Sequence, residues 1–352
     1  MEKKTKKKGC VLKVLGVVVL IGILVSGLLG YFIYAYVFSP NVNDETATHE
    51  LFIPTGASYD EVVEMLDRKN VLLNIKSFEW TADKMNYPNR VKAGRYLIDA
   101  GMSNRELIRK LRAGDQQPVM LVLNNMRTKE DLAGKVAGQI EADSLEILTI
   151  IKDEEFLSSY GLNKFNVLSI MLPNTYEFFW NTSAKGFFDR MLREFNQFWT
   201  EERISKAGNL GLTKYEVVTL ASIVEEESNR VDERPRIAGV YLNRLNRGWK
   251  LQADPTVKYA IGDFSIRRVL FRHLEYDSPY NTYMYEGLPP GPICLPSLNS
   301  IDAVLNPEKH EFMFFSAKED FSGYHNFART HREHQANARR FHQELNRRNI
   351  YR

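Results

Sequence analysis

Cysteine is nearly absent from this chain. Cys10 and Cys294 are the only two in 352 residues, one beside a long apolar run and the other far downstream. That excludes a disulfide framework and any cysteine-based zinc site. The seven histidines are scattered, and no H-E-x-x-H spacing occurs. No metal or cofactor is therefore expected. The chain also lacks a large charge surplus of either sign, with a net charge of +3. Even that small surplus is local. Six lysines against one glutamate put five positive charges in the first 13 residues, which leaves the remainder at −2. A near-neutral body does not favour a nucleic-acid partner.

Long hydrophobic runs are missing everywhere except once. From Val14 to Phe38 there is no charged residue. About 20 apolar residues suffice to cross a bilayer as a helix. Residues 1–13 then read as a basic cytoplasmic tail, because lysines favour the cytoplasmic side. Tyr31, Phe32, Tyr34, Tyr36 and Phe38 crowd the far end, as an interfacial aromatic belt does. A cleaved signal peptide fits less well: the run is too long, and no small-x-small site follows. The expected address is the cell inner (cytoplasmic) membrane, single-pass, with everything after residue 38 outside the cytoplasm. Gly16, Gly22, Gly27 and Gly30 add little, since glycine is common in membrane helices.

Residues 39–49 are polar and read as a linker. A pattern then recurs. Leu51-Phe52-Ile53 is followed by Ser58 and Glu61; Tyr96-Leu97-Ile98 by Ser103 and Glu106; Met120–Leu123, more loosely, by Thr128 and Asp131. Each copy is a short apolar strand followed by a capping-box signature for a helix start. Such units act either as a small glycan-binding module or as a spacer. Strands mixed with helices make the fold class α+β, and the length suits about two domains. Further on, Leu172-Pro173-Asn174-Thr175-Tyr176 interrupts a helical stretch, and Phe178, Phe179 and Trp180 follow. This aromatic cluster is either core or a sugar-stacking platform.

The candidate chemistry lies downstream. Thr213 with Glu216 is a capping box, so a helix starts there. At the helical period Val217, Leu220, Ala221, Val224 and Ser228 share one face. The helix ends in Glu225-Glu226-Glu227. Acids there oppose the helix dipole, so stability does not explain them. Glu226 points away from the apolar face and is expected to be solvated. Glu225 and Glu227 flank the face, and Glu225 follows the small residues Ala221 and Ser222. A carboxyl against apolar surface keeps its proton near neutral pH, as a general acid must. Arg244 and Arg247 lie on a next helix that begins near Pro235. They either pair with acids or cap that helix. Gln252, Asp254 and Thr256 offer an amide, a carboxylate and a hydroxyl suited to sugar hydroxyls and acetamides. Asp254-Pro255 also reads as a helix start. Asn281 and Tyr283 follow, then a rigid Pro289-Pro290-Gly291-Pro292 loop suited to walling a groove. His325 and His334 lie near the end.

These residues resemble the YceG-like family of endolytic murein transglycosylases. The likeness rests on A-S-I-V-E-x-E, V-x-x-N-R-L, L-Q-x-D-P-T-V, Y-N-T-Y, G-L-P-P-G-x-I and a terminal H-x-F, over most of Leu172 to Phe327. Leu172-Pro173-Asn174 departs from the aromatic-Pro-Asp that is frequent there. The resemblance implies a LysM-like module over residues 50–120 and a mixed α+β catalytic domain over 121–348, behind the transmembrane helix at 14–38. It implies Glu225 as the catalytic acid. Ser222, Glu227, Gln252, Asp254, Thr256, Asn281, Tyr283 and His325 would line the substrate site. It implies cleavage of the MurNAc–GlcNAc β-1,4 bond in peptidoglycan strands, with 1,6-anhydro ends. Penicillin-binding synthases are the protein partners it implies. A two-carboxylate hydrolase, pairing Glu225 with Asp254 or Glu227, and a non-catalytic binding scaffold are the alternatives.

Overall fold

The computed structural model describes residues 2–348. The chain forms two compact units, the first running through Val119 together with Phe179–Asn181, the second comprising Met120–Phe178 and Thr182 onward. Both mix helix and strand, so the α+β reading holds.

The first unit begins with α1 (Glu2–Phe38), one continuous helix. Within it Lys13–Phe38 has a mean hydropathy of 2.5, long and apolar enough to cross a membrane. Then come β1 (Thr48–Ile53), α2 (Tyr59–Arg68), α3 (Ile75–Lys84), β2 (Gly94–Asp99) and α4 (Asn104–Ala113). β1 and β2 pair antiparallel, from Thr48 opposite Asp99 to Ile53 opposite Gly94. Alternation along the strands sends Leu51, Ile53, Tyr96 and Ile98 inward, against Val62 and Leu66 of α2, Phe78 of α3 and Leu107 and Leu111 of α4. The capping boxes of Ser58 with Glu61 and Ser103 with Glu106 both form. α4 ends at Gly114, whose φ of +75° is the left-handed cap that glycine accepts without strain.

The repeat is one of surface shape as well. An open groove of about 450 Å³ lies beside Thr55, Gly56, Glu61 and Arg68. Another, of about 460 Å³, lies beside the corresponding Ala100, Gly101, Glu106 and Ala113. The stretch read as a linker is not loose chain. Asn41, Val42 and Asn43 are buried, and their backbone amides donate to Met102 and Val71 carbonyls. Trp180 packs on Phe52 in this unit, with ring centroids 5.0 Å apart. Tyr176 and Phe178 are core residues, and Phe179 alone of the cluster is exposed.

The second unit opens within β3 (Val119–Leu123), from Met120 onward, and continues with α5 (Lys129–Ala137), α6 (Ser144–Lys152) and α7 (Glu154–Ser158). β4 (Asn174–Phe178), α8 (Ala184–Phe198), α9 (Glu201–Asn209), α10 (Lys214–Glu227) and α11 (Arg234–Asn246) follow. The rest is α12 (Asp254–Ile261), α13 (Phe271–Leu274), α14 (Leu298–Leu305), β5 (Phe314–Ala317), β6 (His325–Ala328) and α15 (His331–Arg347). The third repeat copy is β3 and α5, capped by Thr128 and Asp131. β3 pairs with β4 rather than with the first unit's sheet.

α10 is the spine of this unit. Every residue from Val217 to Val224 is buried, and α9, α11, α12 and α14 pack on it. A helix apolar all round belongs in a core, so a single apolar face understates its burial. α11 lies close to the chain after α14. A Cβ on Gly239 would stand 2.6 Å from the Glu308 carbonyl oxygen, so only glycine fits there.

Candidate active site

The capping box at Thr213 and Glu216 starts α10, and its last three residues leave the core as it ends. Their carboxylates meet three different environments. Glu226 is only partly solvated: Arg127, from the β3–α5 loop, grips it with two hydrogen bonds of 3.0 and 2.9 Å. Glu225 does not face the apolar surroundings expected of it. Arg234 bonds both its oxygens, at 3.1 and 3.0 Å. The hydroxyls of Ser297 and Ser300 donate to Oε2 at 2.6 and 2.5 Å, and the Ser297 amide at 3.3 Å. Arg234 is itself buried and also donates to the Ser228 carbonyl. This network ties α10, α11 and α14 together at one point.

Glu227 is the carboxyl in the low-dielectric setting. Burial is the main cause that pushes its pKa up to about 7. The negative charge of Asp254 adds to the rise; a hydrogen bond from Tyr241 and the charges of Arg244 and Lys258 oppose it. The Tyr241 hydroxyl donates to Oε1 at 2.6 Å. Burial and the adjoining carboxylate hold Tyr241 well above the usual phenol range, so it remains a neutral donor. A carboxyl near 7 exists in both protonation states at neutral pH, so it can give a proton and take one back.

Asp254 is the first residue of α12, and Ala253 occupies the cap position. Its side chain is thereby free of capping and accepts from the Tyr283 hydroxyl at 2.6 Å. Burial, then the Asp254 bond, raises the Tyr283 pKa. Two tyrosine–carboxyl pairs thus stand close enough to feel one another's charge. Gln252 is exposed beside them with a φ of +50°, a left-handed conformation costly for a side chain of this size. Its amide donates to the Thr282 carbonyl.

Three residues expected to touch substrate do not face the site. Ser222 is fully buried; its hydroxyl donates to Thr219 and accepts from the Ile293 amide. Thr256 is fully buried, bonded to the Ala253 carbonyl and the Thr282 hydroxyl. Asn281 is fully buried, donating to the Leu274 and Tyr276 carbonyls and accepting from the Tyr283 amide. Buried polar groups with every partner supplied fix loops in place. Here they hold Gln252, Asp254 and Tyr283 in position.

The proline loop is likewise largely internal. Gly291 sits where a Cβ would lie 1.9 Å from the Phe165 carbonyl oxygen. Arg244 is buried and donates to the Met313 and Leu251 carbonyls, so it serves the backbone while its charge reaches Glu227. Arg247 caps α11. His325, in β6, bonds the buried Glu233 at 2.9 Å. The Phe315 ring meets both His325 and Tyr241 edge-on. His334 stacks on Phe314 at 5.3 Å, and burial lowers its pKa. Among the described residues no cluster of three metal-ligating side chains occurs.

A largely desolvated carboxyl at the end of α10, a second carboxylate at the start of α12 and two phenols, one on α11 and one on a pinned loop, form a candidate acid–base site. The YceG-like family model matches residues 51–340. The chain belongs to the YceG-like family. It is 29% identical over 322 residues to the endolytic murein transglycosylase of Bacillus subtilis (strain 168), covering 87% of this chain and 88% of that one. It is 29% identical over 338 residues to the endolytic murein transglycosylase of Streptococcus pneumoniae (serotype 2, strain D39), covering 86% of this chain and 60% of that longer relative. Among solved structures, a putative yceG-like protein from Listeria monocytogenes superposes with a TM-score of 0.55 at 28% identity, covering 82% of this chain and 98% of that one. The membership accounts for the order of motifs along α10, α11 and the loops. The Arg127, Arg234 and Glu233 partnerships carry no local sequence signal.

Proposed function

We propose that this YceG-like protein is an endolytic murein transglycosylase in which Glu227, rather than Glu225, is the proton donor. The enzyme class follows its relatives. The observation that carries the residue assignment is the half-buried Glu227 carboxyl, bonded by Tyr241 and near the charge of Asp254, with its pKa pushed up by desolvation to about 7. Glu225 has both oxygens occupied by Arg234 and two serines, so its reading as the acid gives way to one as a structural tie.

In this mechanism Glu227 protonates the oxygen between MurNAc and GlcNAc as the bond to C1 breaks. The GlcNAc side leaves as an alcohol, and the substrate's acetamide shields the cationic C1. The Glu227 carboxylate then takes the proton from the O6 hydroxyl as O6 bonds to C1, closing a 1,6-anhydro ring and restoring the acid. Tyr241 fixes one carboxyl oxygen and leaves the other to the sugar. Gln252, Asp254 and Tyr283 hold the sugar, and His325 supports the wall through Phe315. Proton transfer of this kind is worth roughly 100–10,000-fold in rate.

α1 would anchor the enzyme in the cell membrane with its N-terminus cytoplasmic. The LysM-like module (50–120) and the catalytic domain (121–348) would lie outside. Cutting nascent strands there would end their elongation beside penicillin-binding synthases; co-purification of the anchored chain with such synthases checks that partnership. Asp254 favours one second reading, a hydrolase using it with Glu227. Mass spectrometry of uncrosslinked glycan strands after digestion separates the two: anhydro-ended fragments support the transglycosylase, and reducing ends support the hydrolase.

A further inference from the structure

The end of α1 is built into the first unit. The last carbonyls of a helix lack helical partners. The Tyr36 carbonyl accepts from Asn104 Nδ2 at 2.7 Å and from the Thr81 hydroxyl at 3.2 Å. The Tyr36 ring meets Trp80 edge-on at 5.8 Å, and the Arg105 guanidinium lies 5.2 Å from the Phe38 ring. Just beyond, Asn41 donates to Asn104 Oδ1 at 2.7 Å and to the Asn74 carbonyl at 2.9 Å, and accepts from the Asn74 amide. Asn104 closes the network on Ser77. A satisfied buried polar network of this kind is rigid, so the helix and the unit turn together.

Helix geometry fixes the level of this junction. About 20 residues at about 1.5 Å each fill a hydrocarbon core of about 30 Å. Counted from Val14, that core ends near Ile33. Tyr34–Phe38 then rise about 7 Å further, through the headgroup layer. Whatever packs against Tyr36–Phe38 stands in that layer. On α3, Lys76, Trp80 and Lys84 recur at the four-residue spacing of one helix face. Leu73 precedes them, 66% exposed, and Trp80 is 37% exposed. Two acids, Glu79 and Asp83, flank this face, and Asp83 meets Lys84 at 3.6 Å.

We propose that the face formed by Leu73, Lys76, Trp80 and Lys84 of the α3 region, with Arg105 of α4, is seated in the headgroup layer of the bilayer. Trp80 and Leu73 enter the interface, where tryptophan is favoured. Lys76, Lys84 and Arg105 meet anionic headgroups. The unit is then a collar at a fixed height and orientation rather than a domain on a tether. This inference rests on α1 spanning the membrane.

The test uses the full chain in nanodiscs whose phosphatidylglycerol carries bromine near the top of the acyl chains. Bromine quenches nearby tryptophan fluorescence. Quenching in the wild type should be largely lost in Trp80→Phe and kept in Trp249→Phe. In phosphatidylcholine discs with the same bromination, quenching should fall by roughly half, and Lys76→Gln/Lys84→Gln should erase that difference between lipids. A chain that does not enter the discs removes the anchor and the collar together. A chain that enters them, with Trp80→Phe quenched as fully as the wild type, overturns the collar alone.

Discussion

At the scale of single residues, the three glutamates closing α10 are the same side chain in three settings, and the settings decide their roles. The folded Glu227 keeps its proton up to about pH 7, against 4.5 for an ordinary glutamate. Between those values the folded state holds more protons than the unfolded one, so stability falls as pH rises through that window. The full shift corresponds to about 3 kcal/mol. Glu227→Gln should therefore melt higher than the wild type above pH 7 and equally below pH 4, as thermal unfolding across pH will check. Its activity should drop by roughly 100–10,000-fold. Because the donor must be protonated, wild-type turnover should decline as pH rises past about 7, which a pH–rate profile measures. Glu225→Gln has the opposite signature. It strands the buried Arg234, at a cost near the lower end of about 3–5 kcal/mol, because Glu225 keeps 25% of its side chain in solvent. The melting temperature should fall while bond cleavage persists.

At the scale of elements, two loops are pinned so that short polar side chains can face outward. Ser222 ties the proline loop to α10, Thr256 ties the α12 entry to Thr282, and Asn281 ties the chain around Tyr283 to the Leu274 and Tyr276 carbonyls. Gly291→Ala should be among the worst small substitutions, since its Cβ meets backbone rather than a flexible side chain. Overpacking of this kind costs about 1–3 kcal/mol or more. A drop of about 2–10 °C in melting temperature, with loss of activity, is the expected result. The helices themselves were legible because their signals are local: a capping serine or threonine and its acid lie three residues apart, and the four boxes read from the sequence all form. The direction of the polar residues was not legible. Ser222, Thr256 and Asn281 read as ligand contacts because nothing within a few positions shows that Ile293, Thr282 or Leu274 will claim them. Arg127 lies 99 positions from Glu226, and no periodicity links such a pair. Helix-face geometry separated Glu225 and Glu227 from Glu226, but it carried no electrostatics, and what distinguishes the first two is the Arg234 cation on Glu225 against desolvation and the Asp254 charge at Glu227.

At the scale of the whole molecule, one long helix, a duplicated strand–helix unit and a helix-centred acid–base unit follow one another along the chain. The long apolar helix was legible because bilayer thickness translates directly into residue count. Its fastening to the first unit was not, because residues 39–49 are polar and polarity alone reads as linker. The buried Asn41 and Asn43 are polar for the opposite reason: Asn41 bonds Asn74 and the Asn104 that holds the Tyr36 carbonyl at the helix end, and Asn43 bonds the Asn70 carbonyl and the Glu45 amide. The central claim is that Glu227 gives and recovers the proton. The most direct measurement digests uncrosslinked glycan strands with wild type, Glu227→Gln and Glu225→Gln at matched folded concentration, and reads the ends by mass spectrometry. Anhydro-ended internal fragments from wild type and Glu225→Gln, with none from Glu227→Gln, are the expected result. Continued cutting by Glu227→Gln, with Glu225→Gln silent though folded, would contradict it and return the acid to Glu225.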